Sequence, residues 1–134
     1  MKLADGIVTQ AAGPAGQPDF AQIQGMAHVQ RARLLRIQGD LGGAEAAARE
    51  ALRVLESVGY VSGQAQAMLV LGEIFSDQAK LPEFERACRD AIDLARSGDS
   101  GWVEARGLTL LATCCVYQGK VEEAYRYKIG RAHV

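Results

Sequence analysis

The stretch IQGDLGGAEAA, residues 37–47, places three glycines and an aspartate between two apolar segments. Glycine-rich loops of this kind can cradle a phosphate with their backbone N–H groups. Further along, Gly119 is followed by Lys120, but Val121 stands where a phosphate-binding loop needs serine or threonine. The chemistry of these stretches depends on whether they are single binding loops or copies of one structural bend.

Few other side chains could carry a reaction. The chain has three cysteines and two histidines, and neither His28 nor His133 has ligand-like spacing to a cysteine. An odd number of cysteines, two of them adjacent in an apolar run, favours buried free thiols and a reducing compartment. No Ser, His and Asp are grouped as in a catalytic triad, and Glu122 and Glu123 suit the first turn of a helix. We therefore expect no enzyme activity, no metal and no cofactor.

Bulk properties are those of one folded, water-soluble domain. The chain has 134 residues, 49% of them hydrophobic and 23% charged, with a formal net charge of −1. This balance gives no electrostatic attraction to nucleic acid or anionic lipid. No apolar run approaches the length of a membrane span, and the N-terminus lacks the apolar core of a signal peptide. We expect a cytoplasmic protein that neither enters a membrane nor binds nucleic acid directly.

The glycine-rich bend repeats. QGDL at 38–41 recurs as QAKL at 78–81 and as QGKV at 118–121, a period of forty residues. Small residues recur in phase as well: Ala32, Gly72 and Ala112 share one column. A phosphate loop would occur once, whereas this segment occurs three times, which identifies it as a bend between helices.

Each period of forty predicts two helices. Apolar residues follow the spacing of one helical face before the bend and again after it, and no β-type alternation occurs. Gly39 and Gly119 can adopt the left-handed conformation that ends a helix, and Pro82 suits a first turn. Asp19, Ser62 and the pair at 99–100 are predicted caps. We predict helices over 20–38, 41–58, 62–78, 82–97, 101–118 and from 121 onward.

The second period contains Met68-x-x-Leu71-Gly72-x-x-Phe75, and Phe84-x-x-x-Cys88 follows the bend. This resembles the tetratricopeptide (TPR) pattern, W-x-x-L-G-x-x-Y followed by A-x-x-x-F. The resemblance covers residues 19–127 and implies an all-α solenoid of antiparallel helix pairs with about two and a half repeats. The repeats would occupy 19–59, 60–99 and, truncated, 100–127.

Two departures refine the resemblance. The period is forty rather than about thirty-four residues, and the proline that usually closes the second helix is absent. Longer repeats with such bends are similar to the sensor region of MalT-type bacterial transcriptional activators and related signalling ATPases. The resemblance implies a non-catalytic binding module, a fragment of a larger bacterial regulator, that receives a protein, a peptide or a small-molecule inducer. The alternatives are a standalone TPR scaffold and the TPR tail of a cyclase or kinase.

In a TPR-like stack the first helix of each pair lines a concave face. By resemblance, the lining positions are Met26, Val29, Arg33, Arg36, Ile37, Gln66, Leu69, Glu73, Ser76, Asp77, Arg106, Thr109, Thr113, Val116 and Tyr117. The arginines at 31, 33 and 36 could form an anion site. A solvated helix face, paired with Glu73 and Asp77 of the next repeat, is the favoured interpretation.

Fifteen positions are predicted to lie in the core, and Gly72 is expected at a close helix crossing. The predicted core is Leu34, Leu35, Ala44, Ala48, Ala51, Leu71, Gly72, Ile74, Phe75, Phe84, Cys88, Ala91, Leu111, Ala112 and Cys115.

The two ends of the chain relate to the repeat in different ways. Ala4 and Ala11 fall in the columns of Ala44 and Ala51, so residues 1–12 resemble a preceding second helix, joined by the linker GPAGQPD. At the other end, KIGRAHV at 128–134 resembles the translation of a sequencing-library adapter. We therefore expect the third repeat to lack most of its second helix, to leave Leu108, Leu111 and Cys115 partly uncovered, and to favour self-association there.

Overall fold

The computed structural model of the chain describes residues 19–132, and this part of the chain is entirely helical apart from short turns. It holds six helices and no strand. All predicted boundaries are confirmed to within one residue. The helices are α1 (Phe20–Ile37), α2 (Leu41–Ser57), α3 (Val61–Asp77), α4 (Leu81–Ser97), α5 (Gly101–Tyr117) and α6 (Val121–Ala132).

Five equivalent turns join the helices at intervals of twenty residues. Each turn has one residue with positive φ: Gly39, Gly59, Ala79, Asp99 and Gly119. In the first turn the Gly39 N–H donates to the Arg36 carbonyl, and the Asp40 N–H donates to the Leu35 carbonyl. The same pair of hydrogen bonds recurs in the other four turns, which makes each one a Schellman motif. The bends are therefore structural, as predicted.

The helix starts show which predicted caps are used. Asp19 accepts a hydrogen bond from the Gln22 N–H at 2.7 Å, as predicted. Asp40 caps α2 in the same way, through the Gly43 N–H at 2.9 Å. Pro82 lies in the first turn of α4. The prediction for Ser62 was wrong, because α3 begins at Val61 with Tyr60 at the capping position and no side-chain cap.

The helices form three antiparallel pairs that stack in chain order. Helix α1 packs on α2, α3 on α4 and α5 on α6, while α2 also packs on α3 and α4 on α5. The first helices α1, α3 and α5 also contact each other in sequence. They therefore form one layer, and α2, α4 and α6 form the other. This is the predicted all-α solenoid of helix pairs.

A large core runs between the layers, and its largest fully buried side chains include Phe84, Leu55, Leu69 and Ile74. A small second cluster of Ala112, Cys115 and Ala124 lies at the C-terminal end, and Tyr127 packs against both clusters. Thirteen of the fifteen predicted core positions are buried. Leu35 is only partly buried. Leu34 was predicted wrongly: its side chain is 55% exposed, because no described helix covers that side of α1.

Close crossings occur where glycines face a neighbouring helix. A Cβ at Gly72 would lie 3.3 Å from the Cys88 Sγ and 3.7 Å from the Ala87 Cβ, so the predicted close approach to α4 is present. Gly107 is tighter, with the Ile92 Cγ1 2.8 Å from the position of an added Cβ.

The prediction of an uncovered C-terminal end was wrong. Helix α6 continues to Ala132, which includes most of the predicted foreign tail. Leu108, Leu111 and Cys115 are 5%, 1% and 0% exposed, because α6 covers them through Ala124 and Tyr127. The tail itself packs little, as predicted, since Ile129 is 51% exposed. The premise for self-association at this end is therefore removed.

The predicted remnant helix at 1–12 and its linker lie outside the described residues. Within 19–132, no helix combines the length and apolarity needed to cross a membrane.

Candidate functional site

The layer of first helices carries an open groove of about 320 Å³. Helices α1, α3 and α5 each contribute to its walls, so the groove spans all three repeats. Its lining combines an apolar floor with charged walls: Arg33, Arg36, Ile37, Leu69, Val70, Glu73, Trp102 and Arg106.

Arg36 is the central cation of the groove. Its Nε donates to the Asp77 Oδ2 at 2.6 Å and its Nη2 to Oδ1 at 3.2 Å, a two-point contact. Its Nη1 also donates to the Glu73 Oε2 at 3.2 Å. The hydrogen bond to Asp77 raises the pKa of Arg36 more than partial burial lowers it, and the charge of Glu73 raises it further. Arg36 is therefore fully charged and fixed to α3.

Glu73 links three helices. Besides Arg36 of α1, its Oε2 accepts a longer hydrogen bond from the Arg106 Nη2 of α5, at 3.4 Å. Its side chain is 15% exposed, whereas that of Arg106 is 49% exposed. The Arg106 side chain is thus about half exposed and has one long contact with a carboxylate set into the groove wall.

Arg33 and Trp102 extend the groove from α1 to α5. The Arg33 guanidinium carbon lies 5.8 Å from the Trp102 ring centroid, within the range of a cation–π contact. Trp102 remains 54% exposed. Among residues 19–132, Arg33 forms no ion pair. The exposed ring of Trp102 and the guanidinium group of Arg33 therefore line the same opening.

The structure groups some of the predicted lining residues and separates others. Arg33, Arg36, Ile37, Leu69, Glu73 and Arg106 line the groove, and Asp77 flanks it through Arg36. Val29 was predicted wrongly, because it is 0% exposed and belongs to the core. Met26, Gln66, Ser76, Thr109 and Thr113 are partly exposed outside the groove, and Val116 and Tyr117 are exposed near the end of α5.

Two of these positions have their polar groups occupied. The Thr109 hydroxyl donates to the Ala105 carbonyl and the Thr113 hydroxyl to the Thr109 carbonyl, both within α5. Because both hydroxyl groups already donate within α5, these two side chains have less hydrogen-bonding capacity for a ligand than a free hydroxyl group would.

Two groove residues, Trp102 and Val70, were missed from the sequence. Trp102 lies in the first turn of α5, outside the columns that the TPR-like pattern marks as lining. The feature of the sequence that could have indicated Trp102 is composition, because Trp102 is the single tryptophan of the chain.

The cysteines offer no reactive centre. Cys88, Cys114 and Cys115 are free and buried, and burial raises the pKa of all three thiols, that of Cys114 to about 11. Protonated thiols are poor nucleophiles and poor metal ligands. Within the described residues, no three His, Cys, Asp or Glu side chains cluster as a metal site.

Comparison with known proteins supports the fold alone. No protein-family profile and no curated protein matches the sequence. Among solved structures, the chain is similar to the crystal structure of the TPR domain of Arabidopsis FLU, with a TM-score of 0.74. The two are 17% identical, and the match covers 84% of this chain and 95% of that one. The described residues thus adopt a TPR-like α-solenoid fold.

Proposed function

We propose that this chain is a non-catalytic module that binds an extended segment of a partner protein in the groove of α1, α3 and α5. The observation that carries the proposal is the groove itself, which is open, spans three repeats and presents Trp102 and Arg106 to solvent. An elongated groove with an aromatic anchor suits a peptide, because stacking and apolar contact supply binding energy along its length.

The charges of the groove favour a segment with acidic and apolar side chains. Three guanidinium groups, of Arg33, Arg36 and Arg106, face two carboxylates, of Glu73 and Asp77. Arg36 is satisfied by both carboxylates, whereas Arg106 has one long contact. An incoming carboxylate would therefore pair with Arg106 or Arg33, while an apolar neighbour packs on Trp102 and Ile37.

A small-molecule inducer is the second candidate for this groove. Its volume of about 320 Å³ lies at the lower end of the usual range for small-ligand pockets. The groove is open along its length, however, and would leave much of a compact ligand in solvent, so a peptide is the preferred occupant.

We further propose that the repeats belong to a larger cytoplasmic regulator of the bacterial MalT type. The forty-residue period and the QGD-type bends support this parentage. A standalone TPR scaffold and the TPR tail of a cyclase or kinase are the alternatives. The coding sequence on both sides decides among them, because a P-loop upstream or a helix-turn-helix downstream would identify the regulator.

The single tryptophan gives a direct binding assay. We would titrate the chain with synthetic twelve-residue peptides that combine aspartate and leucine, and follow Trp102 emission. Binding in the groove should shift the emission to shorter wavelength, because the ring loses solvent contact. A lysine–leucine peptide of equal length is the matched probe, and it should bind weakly.

Variants locate the binding site. Arg106→Ala and Arg33→Ala should each weaken binding of the acidic peptide about five- to thirtyfold, as expected for loss of a charge-assisted contact. Arg49→Ala is the matched control, because Arg49 is an exposed arginine of α2 outside the groove. Equal loss of affinity in the control, or binding that leaves Trp102 emission unchanged, would contradict a peptide-binding groove.

A further inference from the structure

The charged side chains of the groove form a cluster that does not recur along the repeats. Arg36 of α1 pairs with Glu73 and Asp77 of α3. One repeat later the equivalent positions, 76, 113 and 117, hold serine, threonine and tyrosine, which carry no charge. Helix α5 nevertheless packs on α3 as α3 packs on α1. Stacking of the first helices therefore does not require the cluster, and its charges need an explanation specific to the groove.

Arg36 occupies both carboxylates of α3. Its Nε and Nη2 bind Asp77 and its Nη1 binds Glu73, and within residues 19–132 Asp77 forms no other ion pair. Three guanidinium groups and two carboxylates leave one positive charge in excess in the groove. Arg33 and Arg106 are the cations left to an incoming ligand, because Arg33 forms no ion pair in the described part of the chain and Arg106 has one long contact.

Glu73 is shared between Arg36 and Arg106. The same oxygen, Oε2, lies 3.2 Å from the Arg36 Nη1 and 3.4 Å from the Arg106 Nη2. The Glu73 side chain is largely buried, so its charge needs a guanidinium partner. Without Arg36, the remaining arginine in contact with Glu73 is Arg106, which would be drawn onto it, while Asp77 would lose its partner. The groove would then lose an accessible cation and gain an open carboxylate.

We propose that Arg36 is a positioning residue that gives the groove its positive sign: it occupies Glu73 and Asp77 and so keeps Arg106 available to an acidic ligand. The inference rests on the proposed function of the groove as a peptide site, and it adds the residue that sets the preference of that site. Arg36 need not touch the ligand, because it acts through the two carboxylates of α3. The preference for acidic over basic segments therefore depends on the contact between α1 and α3.

Collisional quenching of Trp102 fluorescence measures the charge of the groove without a ligand. Trp102 is the single tryptophan of the chain, its ring is exposed, and it lies one helical turn from Arg106 on α5. Cations near the ring attract iodide and repel caesium. We would measure the ratio of the iodide and caesium quenching constants, relative to free N-acetyltryptophanamide. A constant ionic strength of about 0.1 M keeps the screening length near 10 Å, so that nearby charges dominate.

Two variants break the same ion pair with opposite changes of charge. Arg36→Gln removes the cation and should lower the iodide-to-caesium ratio about twofold. Asp77→Asn removes the carboxylate, leaves Arg36 on Glu73 and should raise the ratio. Both variants lose the two-point contact, so a purely structural role of the pair would change the ratio in the same direction in both. Changes in the same direction, or an unchanged ratio in Arg36→Gln, would overturn the proposal.

Two further variants separate the charge at position 36 from the total charge and from the shape of the side chain. Arg49→Gln removes one positive charge from α2, outside the groove, and should leave the ratio at the parent value. Arg36→Lys keeps the charge and should restore most of the ratio lost in Arg36→Gln, although lysine cannot make the two-point contact. An equal fall in Arg49→Gln, or no recovery with lysine while circular dichroism shows intact helices, would contradict a local effect of charge.

Peptide titrations connect the charge of the groove to binding. The aspartate–leucine peptide should bind Arg36→Gln about five- to tenfold more weakly than the parent, whereas the lysine–leucine peptide should bind the variant more tightly. If the quenching ratios follow the expected order but neither peptide binds the parent, the proposed function fails and the control of charge by Arg36 is supported. If the acidic peptide binds the parent and Arg36→Gln equally well, this inference fails and the groove remains a peptide site.

Discussion

At the scale of single residues, two carboxylates of α3 hold arginines from both neighbouring first helices. Asp77 and Glu73 bind Arg36 of α1, and Glu73 also contacts Arg106 of α5. In the forty-residue alignment, however, Glu73 shares a column with Arg33 and not with Arg36. Because column alignment compares backbone positions, it does not specify which of two long, flexible side chains reaches a carboxylate.

The Arg36–Asp77 pair should contribute measurably to folding. A double-mutant cycle with Arg36→Ala and Asp77→Ala should give a coupling free energy of about 0.5–1 kcal/mol, since the contact is two-point and both side chains are partly buried. Denaturant unfolding measures it, and high salt should reduce it. The Arg49–Glu45 pair within α2 is the control, with Arg49 59% exposed. A coupling no larger than that of the control pair would show that Arg36–Asp77 contributes only as an ordinary surface pair.

At the scale of helices and turns, the five Schellman motifs explain why sequence alone located every boundary. The left-handed position of the turn recurs every twenty residues, and glycine marks it three times. Ala79 and Asp99 occupy the same conformation without that signal, and the forty-residue phase was enough to place them. The cap at Ser62 was misplaced because a neighbouring polar residue resembles a cap, whereas the backbone turn is what fixes the start of α3.

Replacing Ala79 with glycine should stabilise the protein. Ala79 has φ of +57°, a conformation that costs an L-residue about 1 kcal/mol relative to glycine. Ala79→Gly should therefore raise the free energy of unfolding by about 0.5–1 kcal/mol, even though glycine adds unfolded-state entropy. Thermal or urea unfolding provides the measurement. Ala46→Gly, at an exposed position within α2, should instead lower it by about 1 kcal/mol. A loss of stability in both variants would rule out relief of left-handed strain at Ala79.

The crossing of α3 and α4 should not accept a larger side chain at position 72. Gly72→Leu must place its side chain against Cys88 and Ala87, which are already within 3.7 Å of an added Cβ. The variant should lose about 1–3 kcal/mol of stability through overpacking. Gly42→Leu is the control, because an added Cβ there has no neighbour within 4 Å. An unchanged melting temperature for Gly72→Leu would mean that the crossing relaxes at little cost.

At the scale of the whole molecule, the repeat phase predicted the architecture, and the errors about which apolar residues of the stack are covered lie at Leu34 and at the C-terminal end. Interior positions such as Phe75 and Phe84 are buried by neighbours that the same forty-residue pattern specifies. Leu34 looked like a core residue because its counterparts Ile74 and Cys114 are, but nothing in 19–132 precedes α1 to cover it. The groove was predicted only in part, since Trp102 reaches it from a column that the repeat pattern does not mark.

At the C-terminal end, the short helix α6 completes the third repeat. Helix α6 has twelve residues, compared with seventeen in α2 and α4, yet it leaves Leu108, Leu111 and Cys115 almost fully buried. Its contact with α5 is largely apolar, through Ala124 and Tyr127. Within residues 19–132, α6 is the helix that covers this end of α5, although the side chains of Lys128, Ile129 and Arg131 remain exposed.

Removing α6 should restore the apolar end that the sequence suggested for the full chain. A variant that stops at Lys120 uncovers several apolar side chains, each of which contributes about 1.5–3 kcal/mol when buried, so it should be several kcal/mol less stable. It should also form concentration-dependent oligomers in sedimentation experiments, because the exposed face of α5 resembles an unfilled repeat interface. A variant that stops at Tyr127 is the control, since it keeps both core contacts of α6 and should remain monomeric with smaller loss of stability. If the Lys120 truncation stays monomeric and as stable as the Tyr127 truncation, α6 does not protect the core.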